Sequence, residues 1–579
     1  MAEFDLVIRG GTVADGSGGE LQEADVAVAG GRVAAVGKAL GPGREELDVR
    51  GRLVTPGFVD IHTHYDGQIT WEERMTPSSD HGVTSVVMGN CAIGFAPCRA
   101  EQRDLLMKVV AGVEDIPEAV MAHGVPWLWE TFPEYLDFLD GRRADVDFGA
   151  QLPHAALRVF VMGERGAARE PPSTVELAEM TRLTRAAIEA GAIGASTSRT
   201  LSHRTLAGDL APCETSGEME LMAIARGLRE AGAGVLELIA DFNDISLGGS
   251  AEFDMLKRLA REGNCPLSYT LVQVPQQPEA WRTLLRMTEQ AMAEGLTIHG
   301  QIAPRAVGMC FGLDLSFNPF SFTDSYREIA HLPLDARVAR LREPELRQRI
   351  LAETPQDRNP LMLWLAGLYP QMFVLGEQPD YEPPPSGSVA AMAAARGLSA
   401  AELAYELLLE DDGRRILYLP ITNFADGTLS VVREMIESDA TIIALGDGGA
   451  HYGLICDASY STFALSHWVR DRREGRFGVA RMVRELTSKP AQAIGLNDRG
   501  LIRPGMKADI NVIDFDRLGL LAPEVRNDLP GGGRRMVQRA RGYDATIVSG
   551  AITYREGQAT GALPGRLIRG KRDPARTRH

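Results

Sequence analysis

The sequence predicts an α/β fold in which a (β/α)₈ barrel carries a small β-sandwich domain formed by both ends of the chain. Three observations support this prediction. Short apolar runs alternate with helical stretches through the middle of the chain. Strand-like, turn-rich patches lie near both termini, and one of the apolar runs leads into a His-x-His pair.

The two terminal patches have the pattern of short antiparallel strands joined by hairpin turns. Residues 5–9 and 24–28 show it near the N-terminus, and residues 508–514 and 544–548 show it near the C-terminus. Neither patch is large enough to make a good core alone, so we expect them to form two halves of one β-domain. The predicted divisions are residues 1–55 for its first half, 56–495 for the barrel, and 496–579 for its second half with a tail.

The middle of the chain contains eight apolar runs, which is the number of strands in a TIM-like barrel. The predicted strands lie at residues 57–64, 84–88, 158–162, 194–197, 234–239, 266–271, 296–300 and 441–445. In this fold, catalytic residues come from the C-terminal ends of the strands. The residues that follow each apolar run are therefore the candidates for a functional site.

The segment between the seventh and eighth predicted strands is far longer than an ordinary βα loop. The excess lies at about residues 311–430, where Ser399 and Glu402 form a capping box that opens a predicted helix through Leu409. An insertion above the catalytic face is a candidate lid or substrate wall. A purely structural excursion is the alternative.

His62 and His64 end the first predicted barrel strand, where apolar and polar residues alternate. Side chains two residues apart on a strand share a face, so the two imidazoles are predicted to project together. Imidazoles arranged in this way bind divalent metal ions. A single strand histidine is more often a core residue, but the pair at this spacing indicates a metal site.

Asp447 follows the last apolar run, in a glycine-rich sequence that allows close approach of other groups. A carboxylate at this place can bind a metal ion, accept a proton from a bound water and later pass it to a leaving amine. The alternative is an N-cap for a following helix. Together with the histidine pair, the position favours the catalytic role.

Cys91 ends the second predicted strand, in the sequence Gly89-Asn90-Cys91. A free cysteine is usually a small buried apolar side chain. Near a divalent metal ion, its thiolate would be a strong ligand. The residues alone leave both interpretations open.

Charge and composition restrict the class of partner. The net charge of −17 argues against nucleic acid or an anionic membrane as a partner. The six cysteines form no CxxC pair, and no stretch has the roughly 20 apolar residues that a membrane span needs. No secretory signal pattern begins the chain, so we expect a cytoplasmic protein. Homo-oligomerisation is left open.

Several motifs together resemble the amidohydrolase superfamily and, within it, the D-aminoacylase group of N-acyl-D-amino-acid deacylases. They lie at residues 7–16, 56–64, 82–91, 191–197, 446–449, 487–491 and 503–509. The first and last motifs are generic to the superfamily. The Gly-Asn-Cys sequence after the second strand is specific to the deacylase group.

The resemblance implies a zinc-type hydrolase with one or two Zn²⁺ ions, or another divalent metal, on a (β/α)₈ barrel with a terminal β-domain. Many members of the superfamily bridge two ions with a carboxylated lysine from the fourth strand, but no lysine here ends a barrel strand. The deacylase group uses a cysteine in that neighbourhood. The matching residue is Cys91, which the resemblance makes a predicted ligand.

The chain departs from the deacylase pattern at two strands. That group places a histidine at the end of the fifth strand and another at the sixth. Here the fifth strand carries Glu237 and the sixth carries no histidine. Zinc accepts carboxylate oxygen, so Glu237 is a predicted replacement ligand. The predicted metal ligands are His62, His64, Cys91, Glu237 and Asp447, with Asp447 also as the catalytic residue.

Two residues near the seventh strand are candidate substrate contacts. Arg305 lies just past this strand and could pair with a carboxylate, although Arg165 and Arg199 compete for that role. His299 lies in the strand itself and could bind metal, contact substrate or belong to the core.

The predicted function is metal-dependent hydrolysis of an amide by a metal-activated water, with an N-acyl-D-amino acid as the predicted substrate. Because the sixth-strand histidine is missing, the alternative within enzymes is another amide, such as a cyclic amide, a ureide or a formamide. A non-catalytic protein that keeps the same fold is the alternative from a different class. The intact His62, His64 and Asp447 argue against it.

Overall fold

The structure, a computed structural model, describes residues 2–570. Within this range, eight parallel strands form one curled sheet in which each strand pairs with the next along the chain. These barrel strands are Phe58–Asp60, Val83–Met88, Asp147–Pro153, Gly194–Arg199, Val235–Ala240, Leu267–Thr270, Ile298–Ile302 and Thr441–Ile443. The predicted (β/α)₈ fold class is confirmed.

The third barrel strand is not where the sequence placed it. Residues 158–162 belong to the helix His154–Met162, and the strand is the preceding segment Asp147–Pro153. The apolar run 158–162 continues backwards through Ala155 to Leu157, and all but one residue of the helix are buried. A short, fully buried apolar run has no periodicity that separates a strand from a helix, so the prediction was wrong.

The first and eighth strands meet through backbone hydrogen bonds just beyond their C-terminal ends. The amide of His64 donates to the carbonyl of Gly448 at 2.8 Å, and the amide of Asp447 donates to the carbonyl of His62 at 3.1 Å. The first strand itself ends at Asp60, so both histidines lie in the segment that follows it. These contacts bring the histidine pair and Asp447 to the same place.

Helices follow the strands and pack around the sheet. Thr174–Ala190 shows how the sequence sets their limits, because Ser173 and Glu176 form a capping box at its start and Gly191 ends it with φ 111°. The α-helices of the barrel are Gln68–Trp71, Arg103–Glu114, Glu118–Gly124, Phe132–Asp140, His154–Met162, Glu164–Ala167, Thr174–Ala190, Glu218–Ala231, Ala251–Gly263, Ala280–Ala293, Ser430–Glu437, Tyr460–Ser466, Val479–Leu486 and Ser488–Ala493.

The long segment between the seventh and eighth strands has structure and a hydrophobic cluster of its own, which includes Phe311, Leu403 and Leu417. Its antiparallel sheet consists of Gly308–Phe311, Phe373–Leu375 and Ile416–Pro420. Its helices are Asp324–Arg327, Leu334–Leu341, Pro344–Ala352, Pro360–Gly367, Val389–Arg396 and Ala400–Leu408. The last of these begins at the predicted capping box. The role of the insertion as a lid stays a prediction.

Strands from both ends of the chain pair in a second large sheet, where Leu53–Pro56 lies antiparallel to Ile510–Ile513. Its members are Phe4–Val13, Gln22–Ala29, Arg32–Gly37, Gly43–Asp48, Leu53–Pro56, Ile510–Ile513, Tyr543–Val548, Ala551–Arg555 and Gln558–Ala559. Two small two-stranded antiparallel sheets pair Gly519–Leu520 with Ala540–Arg541 and Glu524–Leu529 with Gly533–Val537. The division into domains at residues 55 and 495 stays a prediction.

None of the helices in residues 2–570 combines the length and the apolar character needed to cross a membrane. The cytoplasmic location and the absence of nucleic-acid and membrane partners stay predictions.

Candidate metal centre

His62 and His64 are both buried, and their ring centroids lie 5.6 Å apart. The Nε2 atom of His62 lies 3.3 Å from the Sγ of Cys91 and 3.5 Å from an Oδ1 of Asp447. The Nε2 atom of His64 lies 3.3 Å from the same Oδ1. The two imidazoles, the thiol and the carboxylate therefore face one another around a small shared space.

These spacings suit the ligands of one metal ion. Ligands bound to zinc at about 2.1 Å through nitrogen and about 2.3 Å through sulfur lie roughly 3.4–3.6 Å apart in tetrahedral geometry. His62, His64 and Cys91 each contribute one donor atom, and these three atoms lie within 4.8 Å of one another. No other group of three or more histidine, cysteine or acidic side chains in residues 2–570 is arranged closely enough to hold a metal ion. The sequence prediction brought together these three residues and Asp447, and the structure does the same.

The loop that carries Cys91 has an unusual backbone. Gly89, Cys91 and Ala92 have positive φ angles of 83°, 54° and 68°. A Cβ at Gly89 would lie 2.3 Å from the carbonyl oxygen of Gln151, so glycine is required there. The Asn90 side-chain amide donates to the carbonyls of Thr63 and Val87, which joins the loop to the segment after the first strand and to the second strand. Backbone conformations of this kind cluster at functional sites because the surrounding structure holds them in place.

The carboxylate of Asp447 lies within ion-pair distance of both histidines. Burial alone would raise the pKa of Asp447, but hydrogen bonding to His64 and the charges of His62, His64 and His451 outweigh burial and lower it below its usual range. Asp447 is therefore ionised at neutral pH. Asp447 is not the N-cap of a helix, because the next α-helix along the chain begins only at Tyr460.

Glu237 lies on the other side of His62, close to Nδ1 rather than Nε2. Its Oε1 is 3.8 Å from Nδ1, and its Oε2 accepts a hydrogen bond from the backbone amide of Cys91 at 3.1 Å. Burial raises the pKa of Glu237 to about 7, against the opposing effect of His62. Its role as a metal ligand stays a prediction.

Glu114 is a member of the site that sequence reasoning missed. Its carboxylate oxygens lie 3.5 Å from the Nδ1 of His64 and 3.5 Å from the Nε2 of His451. Burial, together with the charges of Asp447 and Asp66, raises the pKa of Glu114 well above its usual range. The residue ends the helix Arg103–Glu114, far along the chain from any predicted strand end.

Gln301 was missed as well. Its Oε1 lies 2.7 Å from the Nδ1 of His62, and its Nε2 donates to the hydroxyl of Ser268 at 2.8 Å. A signal existed in the sequence, since Gln301 is two residues after His299 on the seventh strand and so shares its face.

His299 itself lies one layer below Gln301, towards the N-terminal ends of the strands. It lines a cavity of about 10 Å³ with Ser268, Ile442 and Ala493. Burial and the nearby charge of Lys489 lower its pKa to about 4. Its contact with substrate stays a prediction.

Arg305 is almost fully buried, with 1% of its side chain exposed. Its Nη2 donates to Asp457 at 2.7 Å and to the carbonyl of Cys456 at 2.9 Å. The guanidinium carbon lies 3.9 Å from the centre of the Tyr381 ring, which belongs to the insertion. Here Arg305 holds the insertion against the loop after the eighth strand, and its substrate role stays a prediction.

The residues fit a divalent metal ion of the zinc type. Two imidazoles, a thiol and a carboxylate form a mixed nitrogen, sulfur and oxygen donor set, which zinc prefers. Several buried polar atoms at this place, the Nδ1 of His64 and one oxygen each of Glu114 and Glu237, have no hydrogen-bond partner among the described residues. A barrel with this set at the C-terminal ends of its strands has the arrangement of a metal-dependent hydrolase.

Comparison with known proteins assigns the family. The sequence profile of the amidohydrolase family matches residues 45–554, so the chain belongs to the amidohydrolase family. It is a metal-dependent amide hydrolase by class.

Similar proteins cover nearly the whole chain. D-aminoacylase from Alcaligenes xylosoxydans xylosoxydans is 27% identical over 575 residues, which make up 98% of this chain and 97% of that protein. N-acyl-D-aspartate deacylase from the same organism is 38% identical over 199 residues, but these are only 34% of this chain and 37% of that protein. A crystal structure of D-aminoacylase matches 98% of this chain and 100% of its own, with a TM-score of 0.65 and 25% identity.

Proposed function

We propose that this protein removes the acyl group from N-acyl-D-amino acids by hydrolysing their amide bond, with Zn²⁺ as the metal. The observation that carries the proposal is the convergence of His62, His64, Cys91 and Asp447 at one place. The similarity to D-aminoacylase supports the choice of substrate class. A related D-aminoacylase structure is described as having a binuclear metal centre, and one or two ions remain part of the proposal.

The metal ligands would be the Nε2 atoms of His62 and His64, the thiolate of Cys91 and the carboxylate of Asp447, with Glu237 as a further candidate. When bound, zinc supplies Lewis-acid polarisation of the amide carbonyl and a lower pKa for water in the site. Cys91 would bind as a thiolate, because the thiolate is the form of cysteine that binds metal. Burial and the nearby carboxyl groups raise the pKa of its thiol well above the ordinary value, so the loss of its proton would depend on the bound ion.

Asp447 would carry the proton. As an ionised carboxylate beside both histidines, it can accept a proton from the attacking water. It can then donate that proton to the amide nitrogen, so that the amine leaves neutral. Arg305 and His299 stay the candidate substrate contacts, with a small-molecule amide as the substrate.

A second candidate function is hydrolysis of another amide, such as a cyclic amide, a ureide or a formamide. The specific observation that favours it lies at the fifth and sixth strands, because the fifth carries Glu237 and the sixth carries no histidine, whereas the deacylase group that the sequence resembles has a histidine at each. Both strands lie near His62, because Glu237 is 3.8 Å from its Nδ1 and Ser268 accepts a hydrogen bond from Gln301. Different side chains on these two strands would therefore change which substrate the site accepts.

The test is hydrolysis by the zinc-loaded protein of matched N-acetyl-D- and N-acetyl-L-amino acids, with hydantoin and allantoin-type cyclic amides alongside. We expect release of the D-amino acids at a kcat/KM well above that for the L-amino acids. Hydrolysis of the cyclic amides alone would favour the second function. A metal-loaded protein inert on every amide would favour a non-catalytic role.

A further inference from the structure

Gln301 lies at the centre of a short chain of hydrogen bonds that ends on a metal-binding histidine. Its side-chain oxygen is 2.7 Å from the Nδ1 of His62, and its side-chain nitrogen donates to the Ser268 hydroxyl at 2.8 Å. Gln301 is 1% exposed, so water does not compete for these bonds. Its strand Ile298–Ile302 pairs in parallel with Leu267–Thr270, which carries Ser268.

The two nitrogens of the His62 ring have different neighbours. Nε2 faces the thiol of Cys91 and the carboxylate of Asp447, on the side of the metal ligands. Nδ1 faces Gln301. A neutral imidazole carries one proton, and only the unprotonated nitrogen can bind a metal ion. His62 can therefore act as a ligand through Nε2 only if the proton is on Nδ1.

The orientation of the Gln301 amide decides between the two tautomers. With its oxygen towards His62, the amide accepts a hydrogen bond from Nδ1–H and leaves Nε2 free for metal. With the amide rotated by half a turn, its NH₂ group would face Nδ1 and stabilise the tautomer protonated at Nε2. That tautomer cannot bind metal at Nε2.

Gln301 is the one side chain in residues 2–570 that forms a hydrogen bond with the Nδ1 of His62. Glu237, the nearest alternative, is 3.8 Å from Nδ1, beyond hydrogen-bonding range. Asp60 accepts from the backbone amide of His62 at 3.1 Å and does not act on the ring. Gln301 also contributes no net charge to a site that already contains the carboxyl groups of Glu237 and Asp447.

We propose that Gln301 is a positioning residue that sets the tautomer of His62 and thereby the metal affinity of the centre. The proposal rests on the proposed metal-dependent function and deepens it. Groups that hold the second nitrogen of a ligand histidine typically change metal affinity about 10- to 100-fold when they are removed.

The first variant is Gln301→Leu, which keeps the side-chain size and removes the hydrogen bonds. We expect its dissociation constant for Zn²⁺, measured by chelator competition, to rise about 10- to 100-fold. Gln301→Glu keeps an oxygen that accepts from Nδ1 and adds a negative charge that attracts a cation, so we expect its dissociation constant to lie at or below the wild-type value. Ser268→Ala lets the amide rotate and should weaken zinc binding less than Gln301→Leu does.

The matched control is Gln273→Leu, which removes another buried glutamine whose side chain donates to Pro278 and Asp426 and accepts from Ala425, with no hydrogen bond to a histidine of the centre among the described residues. It is expected to lower the melting temperature without changing the zinc dissociation constant. If Gln301→Leu fails to fold, the zinc dissociation constants of Gln301→Glu and Ser268→Ala are compared with that of the wild type instead.

A second readout follows the tautomer directly in the metal-free protein labelled with ¹⁵N-histidine. At a pH high enough to keep the His62 ring neutral, nuclear magnetic resonance should find it protonated at Nδ1 in the wild type and exchanging between tautomers in Gln301→Leu. An unchanged tautomer, an unchanged zinc dissociation constant in Gln301→Leu, or a Gln301→Glu variant as weak as Gln301→Leu would each overturn the proposal. If the wild type binds no zinc, the proposed function itself fails, and the tautomer measurement still decides the role of Gln301.

Discussion

At the scale of single residues, Asp447 is subject to two opposing effects. The protein around it removes water, which raises the pKa of a carboxyl group. The histidines beside it favour the ionised form and lower its pKa more than burial raises it. A carboxylate that stays ionised among imidazoles is available to accept a proton, which a carboxyl group neutral at pH 7 could not do.

The substitution Asp447→Asn tests this role, because it keeps the size of the side chain and removes the basic oxygen. We expect kcat for the best amide substrate to fall by about 10²-fold or more, with KM changing much less. Zinc content should fall little if His62, His64 and Cys91 hold the ion. A variant that hydrolyses substrate at nearly the wild-type rate would show that Asp447 is not the proton carrier.

The residues of the centre that sequence analysis found all share one signal. His62, His64, Cys91 and Asp447 each follow a short apolar run, so a barrel prediction places them at one end of the fold. Glu114 lacks this signal, because it ends a helix and reaches the site only through the packing of that helix. Such a residue cannot be found from local sequence pattern, since its contacts depend on tertiary structure.

At the scale of elements, the glycine-rich loop after the eighth strand allows that strand to meet the first. A Cβ at Gly446 would lie 2.1 Å from the Oδ2 of Asp60. The other oxygen of Asp60 accepts the backbone hydrogen bond of His62. The absence of a side chain at Gly446 therefore leaves room for the group that holds the His62 backbone.

The substitution Gly446→Ala should displace Asp60 and lower stability by about 1–3 kcal/mol, as overpacking in a core does. Zinc affinity should fall with it, because His62 loses its backbone support. Gly217→Ala is the control, since a Cβ there has no atom within 4 Å. Thermal unfolding and zinc titration of both variants check the prediction, and equal behaviour of the two would contradict it.

Glu220 connects two barrel helices and the fourth strand. It accepts from the Nε2 of His154 at 3.0 Å and pairs with Arg158, while the Nδ1 of His154 lies 2.8 Å from the hydroxyl of Thr197. Burial raises the pKa of Glu220, but hydrogen bonds and charges from His154 and Arg158 lower it to about 2. The network stabilises the packing of His154–Met162 against Glu218–Ala231.

Glu220→Gln should lower the free energy of unfolding at pH 7 by about 3–5 kcal/mol, because Arg158 is left as an uncompensated buried charge. The folded pKa of about 2 lies below the unfolded value of about 4.3, so the stabilisation is present above pH ~4.3 and is lost as the pH falls towards 2. The difference in free energy of unfolding between wild type and variant should therefore be smaller at pH 3 than at pH 7 in urea unfolding.

Glu218→Gln, which breaks an exposed pair with Arg258, is the control and should cost less than about 1 kcal/mol. A pH-independent difference for Glu220→Gln would contradict the assignment.

At the scale of the whole molecule, the alternation of apolar runs and helical stretches was enough to predict the barrel. The exception is instructive, because the strand Asp147–Pro153 contains Asp147, Gly149 and Gln151 and so lacks the apolar pattern of a buried strand. Asp147 is compensated by Arg499 and Lys507, which lie hundreds of residues away. Sequence pattern could not reveal a partner at that distance.

In the insertion and in the terminal sheet, features set by neighbouring residues were predictable from the sequence, and pairings between distant segments were not. The helix Ala400–Leu408 was predicted from its capping box, which is a signal within four residues. The pairing of Leu53–Pro56 with Ile510–Ile513 joins segments from opposite ends of the chain. The strands of the terminal sheet were predictable from their short apolar runs and turn residues. The register of their pairing depends on the folded barrel that lies between them in the chain.

The measurement that tests the central claim most directly is the zinc content of the purified protein, wild type against the double variant His62→Ala/His64→Ala. We expect the wild type to retain zinc and hydrolyse an amide substrate. The double variant should lose both, with a circular dichroism spectrum that shows an intact fold. Normal zinc content in the double variant would contradict the metal centre described here.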